Sequence, residues 1–150
     1  MVAPAKPRLD LRWELLPLFL IILSFALGFI FYGGRIQPLD QTGQEQYGPE
    51  WPSVFGIVQW GIPSAALGVY LFLSLGMWGV GKVKDPLSDW NAVARAVGRG
   101  VVDDPARKER LRTAMIRGQY LCKIGLAVLA LFAQWRFFEM VGSRIGLYAP

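Results

Sequence analysis

Between Glu14 and Arg35 the chain runs twenty residues, Leu15 to Gly34, without a charged side chain. In hydrocarbon, only a helix or a closed barrel satisfies every backbone amide and carbonyl. At 1.5 Å per residue, about twenty helical residues cross a hydrocarbon core ~30 Å thick. The stretch LLPLFLIILSFALGFIFY, interrupted only by Ser24, is therefore long enough to span as a helix. A second uncharged run, Trp51 to Gly81, covers thirty-one residues and must tilt, kink or begin outside the core. Pro63 is its expected kink point, because proline lacks the amide donor and crowds the preceding turn.

The third run is shorter, twelve residues from Ile124 to Trp135. Lys123 and Arg136 bracket it, roughly 20 Å apart on a helix, and snorkelling of both long side chains would bring the segment up to bilayer thickness. Composition agrees with a lipid solvent. Hydrophobic residues are 53% and charged residues 18% of the chain, against roughly 25% charged in an ordinary soluble domain.

Basic residues orient the spans. Lys6, Arg8 and Arg12 precede the first, and the connector from Lys82 to Arg117 carries Lys82, Lys84, Arg95, Arg99, Arg107, Lys108, Arg110, Arg112 and Arg117. The first connector holds Arg35 against Asp40, Glu45 and Glu50. The positive-inside rule then places the N terminus and second connector in the cytoplasm and the C terminus on the opposite side. Trp13, Trp51, Trp78, Trp135 and Tyr120 fall at span ends, where amphipathic rings favour the headgroup region. The N-terminal apolar run exceeds a signal-peptide core and no A-x-A-like site follows it, so it reads as a retained anchor.

The expected fold is all-α: an integral membrane protein with three transmembrane helices plus a short cytoplasmic amphipathic interfacial helix. It forms a single membrane domain over residues 1–150, with spans at about 15–34, 54–80 and 116–138 and a basic cytoplasmic loop at 81–115. The first connector, rich in glycine and proline, reads as an irregular solvated loop. In the second, Ser88 is placed to cap a helix from Asp89, with Leu87, Trp90, Val93, Ala94 and Val97 at three- and four-residue steps and Arg95 and Arg99 on another face. Asp104 and Pro105 read as cap and first residue of one long helix running to about Gly142.

Chemistry is scarce. The chain contains no histidine and one cysteine, Cys122, so imidazole catalysis and cofactors bound through histidine or a cysteine cluster have no ligands here. Asp103 and Asp104 read as a cap, Asp85 and Asp89 as a turn and cap around Pro86, and Cys122 as packing. GMWGVGK at 76–82 lacks phosphate-loop spacing. The excess basic charge lies beside spans, which excludes nucleic acid as the expected partner and favours anionic lipid. The string Ile62-Pro63-Ser64 with Gly76, Trp78, Gly79 and Gly81 resembles a short segment of the plastocyanin-docking photosystem I subunit family. The cysteine-bearing lumenal domain of that family has no counterpart here, so no family assignment follows.

What the spans offer is small residues: Ser24 and Gly28, then Gly61, Ala65 and Gly68, then Ala127, Ala130 and Ala133, at positions that allow close helix approach. Trp90, Arg95, Arg99, Arg107, Lys108, Arg110, Arg112, Lys123, Trp135 and Arg136 are the expected contacts to the membrane interface, lipid or partner. Arg136 and Glu139 form an interfacial pair. Lys123 lies deeper, with no carboxylate expected on the other two spans. The functional expectation is a non-catalytic accessory subunit of a larger membrane complex, of the photosynthetic or respiratory electron-transport kind. Other membrane subunits are its expected partners, with lipid, quinone or pigment at its edge. The alternative is a small self-associating transporter or channel lined by Gln59, Pro63 and Lys123.

Overall fold

The computed structural model describes residues 11–77 and 85–146. Lys6, Arg8, Trp78, Lys82 and Lys84, and the end of the expected second span, lie outside them. The described residues form helices and connections and no strand. Helix α1 is Leu11–Phe31; a π turn, Tyr32–Ile36, joins it without a break to α2, Gln37–Tyr47. A short α3, Val54–Gly56, a second π turn, Ile57–Gly61, and α4, Ile62–Met77, make the second rod. Helix α5 is Pro86–Ala96, and α6, Pro105–Arg144, is one helix of forty residues. Three helical stretches, Arg12–Tyr47, Val54–Gly76 and Pro105–Arg144, are long and apolar enough to cross a membrane.

The bundle is apolar outward. Phe72 is 75% exposed, Leu75 73% and Phe19 61%. Its buried positions form one seam per helix, stepping by three or four residues as a left-handed bundle requires: Glu14, Pro17, Ile21, Ser24 and Gly28 on α1; Gln59, Pro63, Ala66 and Tyr70 on the second rod; Tyr120, Lys123, Ala127, Ala130, Gln134, Phe138 and Val141 on α6. Large apolar side chains face outward and polar or small ones go inside, the reverse of a water-soluble core.

Both π turns have the same local cause. Each ends two residues before a proline, Pro38 or Pro63, and the carbonyl four residues before that proline, where its ring would clash, lies in the π turn. Widening the turn relieves the clash, so Pro63 is accommodated by a π insertion in the rod. The extra residue also moves the seam. From Gly28 the next buried positions on the first rod are Ile36, Leu39 and Gly43, one residue later than an unbroken three-four pattern would place them.

The connector at 33–53 is therefore not the irregular solvated loop its composition suggests. Its first half continues α1 as a helix, with Ile36 and Leu39 in a core cluster with Val54, Val58, Phe138, Val141 and Ile145. Asp40 closes the structure from a distance: its carboxylate accepts the amides of Val54 at 2.6 Å and Phe55 at 3.2 Å, serving orphan donors at the start of the second rod. Ser53 is the local N-cap, accepting from the Gly56 amide. Trp51 packs against Gly43, where a Cβ would come within 2.0 Å of the indole.

Two glycines distinguish contact from open space. A Cβ on Gly28 would meet Gln59 at 2.1 Å from Oε1 and 3.0 Å from the backbone Cα, whereas one on Gly68 meets nothing within 4 Å. Gly28→Ala should lower stability in detergent by about 1–3 kcal/mol through overpacking. Gly68→Ala should leave it unchanged or raise it by up to about 1 kcal/mol, the intrinsic helix cost of glycine. Thermal unfolding of both variants checks the pair, and equal effects would contradict this packing.

Candidate functional site

The seams of α1, α4 and α6 carry polar groups at two levels. At the level of the basic connector, Lys123 Nζ stands 2.6 Å from Glu14 Oε1, with the lysine side chain wholly enclosed and the glutamate 8% exposed. The Tyr70 hydroxyl donates to Glu14 Oε2. Lys123 Nζ also lies 5.1 Å from the centroid of the Tyr70 ring and 5.5 Å from that of Tyr120, so two aromatic faces share its charge. Trp13 packs on Tyr120 with ring centroids 5.7 Å apart and covers the outside of this layer.

At the other level Gln134 braces three elements. Its Oε1 accepts from Ser24 Oγ at 2.7 Å, and its Nε2 donates to the carbonyls of Ser24 at 2.9 Å and Val58 at 2.6 Å. The Val58 carbonyl is available for a local reason. In the π turn the Ile62 amide reaches back to Ile57, and the next rung would need an N–H on Pro63, which has none. Gln59, 1% exposed, lies against Gly28 in the same layer.

Two sequence expectations change here. Lys123 does not snorkel to lipid; it points into the bundle. Its partner is a carboxylate on another span, Glu14, one residue before the expected start of the first span. The sequence reading also missed Tyr70 and Gln134. Their signal was register, since Glu14, Ser24, Tyr70 and Gln134 all occupy the seam positions already marked by Gly28, Pro63, Ala127 and Ala130.

The small residues divide. Ser24, Gly28, Ala127 and Ala130 lie in the interior. Gly61, Ala65 and Gly68 are exposed on the outer face of the second rod, and Pro63, Ala66 and Tyr70 make its contacts instead. Cys122, expected to pack, is exposed.

The basic connector is also sorted by the structure. Asp85, not Ser88, caps α5, accepting from the Leu87 amide. Leu87, Asn91 and Ala94 are buried, and Asn91 pairs in both directions with the Val102 backbone. Trp90, Val93 and Val97 remain more than half exposed and, with Arg99, line a groove of about 310 Å³. Arg95, Arg107 and Arg110 are exposed, Lys108 stands 3.7 Å from Asp103, and Arg136 pairs with Glu139 at 2.9 Å. Trp135 is 47% exposed.

Arg112 is not free for lipid. Its guanidinium grips both oxygens of Asp85, at 3.0 and 2.8 Å, and Glu109 at 2.9 Å, tying α5 to α6. Hydrogen bonding from Arg112 holds the Asp85 carboxyl below the ordinary carboxylate range. Among the described residues no group of three or more acidic or cysteine side chains is placed to hold a metal ion. No family model, curated protein or solved structure matches this chain.

Two predictions follow from these ion pairs. Breaking a buried pair leaves an uncompensated charge, so Glu14→Leu or Lys123→Met alone should cost about 3–5 kcal/mol, while the double variant Glu14→Leu/Lys123→Met should recover most of that loss. Unfolding in detergent measures the cycle, and additive losses would disprove the coupling. Because the folded pKa of Asp85 is depressed, its fork with Arg112 contributes above the ordinary carboxylate range and is lost as pH falls through the lower folded value. The fork is partly exposed, so the effect is about 1 kcal/mol or less. Protection of the α5 amides, their exchange taken relative to the unstructured rate at each pH, should fall on acidification in the native chain, and Asp85→Asn should lower it at neutral pH and flatten the response.

Proposed function

We propose that this chain is a non-catalytic accessory subunit of a larger membrane complex, with its N terminus and basic connector cytoplasmic and its C terminus on the opposite side. The observation that carries the reading is the outward turn of Gly61, Ala65 and Gly68. Small residues at this spacing let a second helix approach closely, and in lipid such packing, with interhelical hydrogen bonds, drives helix association. The chain's own α1 and α6 occupy the other face of this rod, so the partner helix belongs to another polypeptide.

Two further features support it. The buried ionic and amide groups are spent on bracing helix to helix. Helix α5 has its apolar side divided, Leu87 and Ala94 inward and Trp90, Val93 and Val97 outward beside Arg95 and Arg99. That outer side suits the cytoplasmic headgroup region, with the tryptophan at the acyl boundary and the arginines on anionic lipid.

Native electrophoresis of the full chain in mild detergent tests the reading. The expected result is migration with other polypeptides, reduced at least several-fold by Gly61→Leu/Gly68→Leu while the bundle stays folded. Migration of the wild-type chain as a lone monomer would overturn it, and terminal tags on one side of the membrane would overturn the topology. A self-associating transporter is the second reading, favoured by the buried Glu14–Lys123 pair. Solute or ion flux by the purified chain in liposomes would establish that reading, and its absence removes it.

A further inference from the structure

Outside these polar layers, α1 and α6 part to leave an apolar groove on the side away from the basic connector. Leu27, Phe31, Leu131 and Trp135 form its walls, Ile36, Val58 and Phe138 lie beneath, and its cavity is about 50 Å³. Gln134 also meets the groove, but its hydrogen bonds to Ser24 and Val58 already use its amide, so the floor offers no specific polar contact.

At the mouth stands Arg35, carried by the first π turn. Its guanidinium carbon lies 5.8 Å from the Phe31 ring centroid and 5.9 Å from that of Trp135. Those contacts fix the cation at the rim without using its N–H donors as hydrogen bonds to an acceptor. Neighbouring charges are already engaged: Asp40 holds the Val54 and Phe55 amides, and Glu139 is paired with Arg136. Among the described residues Arg35 has neither a carboxylate partner nor a hydrogen-bond acceptor.

We propose that this groove binds one anionic phospholipid of the non-cytoplasmic leaflet, with a stretch of acyl chain between α1 and α6 and the phosphate on Arg35. An apolar trough opening onto a cation at the headgroup level is complementary to a molecule with a tail and an anionic head. Both π turns serve the site. The first presents Arg35 and Ile36, and the second brings Val58 beneath the chain, in keeping with the concentration of π insertions at functional positions. The inference rests on the membrane placement under the proposed function, and not on the partner subunit.

Native mass spectrometry of the full chain, released from detergent after incubation with equal amounts of phosphatidylglycerol and phosphatidylcholine of the same acyl composition, tests it. One retained phosphatidylglycerol is expected, favoured about fivefold, the preference that one basic residue near the surface supplies. Arg35→Gln should abolish the preference, and Leu131→Trp should fill the trough and expel the lipid with Arg35 intact. Arg107→Gln/Arg110→Gln should leave the retained lipid in place, which separates this site from the cytoplasmic basic face. Glycerol phosphate, a head without chains, should not compete. Equal retention of both lipids, or unchanged retention by Arg35→Gln and Leu131→Trp, would overturn the proposal. A chain that stays soluble without detergent would instead overturn the membrane placement itself.

Discussion

Lys123 is enclosed among three helices, where Glu14 and two tyrosine rings take the place of water around its ammonium group. An isolated ammonium at this depth would cost several kcal/mol. The pair does more than offset that cost. The large apolar residues turn mostly outward, away from the seam, so they do little to fix how the helices slide. The ionic layer does so at one level and the Gln134 layer at another, eleven residues further along α6, roughly 16 Å at the helical rise. A one-residue slip of α1 against α6 would break both at once. Between the layers the seam narrows to Ala127 and Ala130, so the helices are close where nothing polar is needed and tied where it is.

The prolines shape the half of the bundle away from the basic connector. A regular helix at Pro38 or Pro63 would clash with its own preceding turn; widening that turn rotates everything beyond it. On the first rod this brings Ile36 and Leu39 round to Val54, Phe138 and Val141, which buries a segment too polar to stay ordered alone. On the second it leaves the Val58 carbonyl for Gln134. One backbone irregularity therefore creates both a core cluster and an acceptor, and the groove beneath Arg35 lies where the two irregular rods meet.

How much of this was legible follows from the kind of signal each part leaves. The first two apolar runs and the long helix from Pro105 could be read directly, because length and missing charge are local properties; the third, twelve residues between Lys123 and Arg136, became a span only through a snorkelling that Lys123 does not make. The helical connector at 33–53 could not be recognised from composition, since glycine, proline and glutamine suit a loop equally well. Its evidence was three residues, Ile36, Leu39 and Gly43, displaced by one from the seam of α1. Glu14 was hidden by a boundary: placing the span start at Leu15 set its charge outside the membrane, although Glu14, Pro17, Ile21, Ser24 and Gly28 share one face. The small residues of the second rod were found, but their direction was not, because Gly61, Ala65 and Gly68 form as good a stripe as Pro63, Ala66 and Tyr70. Only the partners of α4 decide between them.

That choice of face bears on what the chain can do. Had Gly61, Ala65 and Gly68 faced inward, the bundle would have been self-contained, with bulky side chains everywhere against lipid. Instead the larger Tyr70 goes inside, where its hydroxyl is needed by Glu14, and the small residues are left outside. The requirement to neutralise Lys123 thus propagates through Tyr70 to the outer surface of the same helix. A bundle that must satisfy a buried cation in this way presents a close-approach face to whatever lies beside it. The same cation that locks the three helices together therefore sets which face of α4 turns outward.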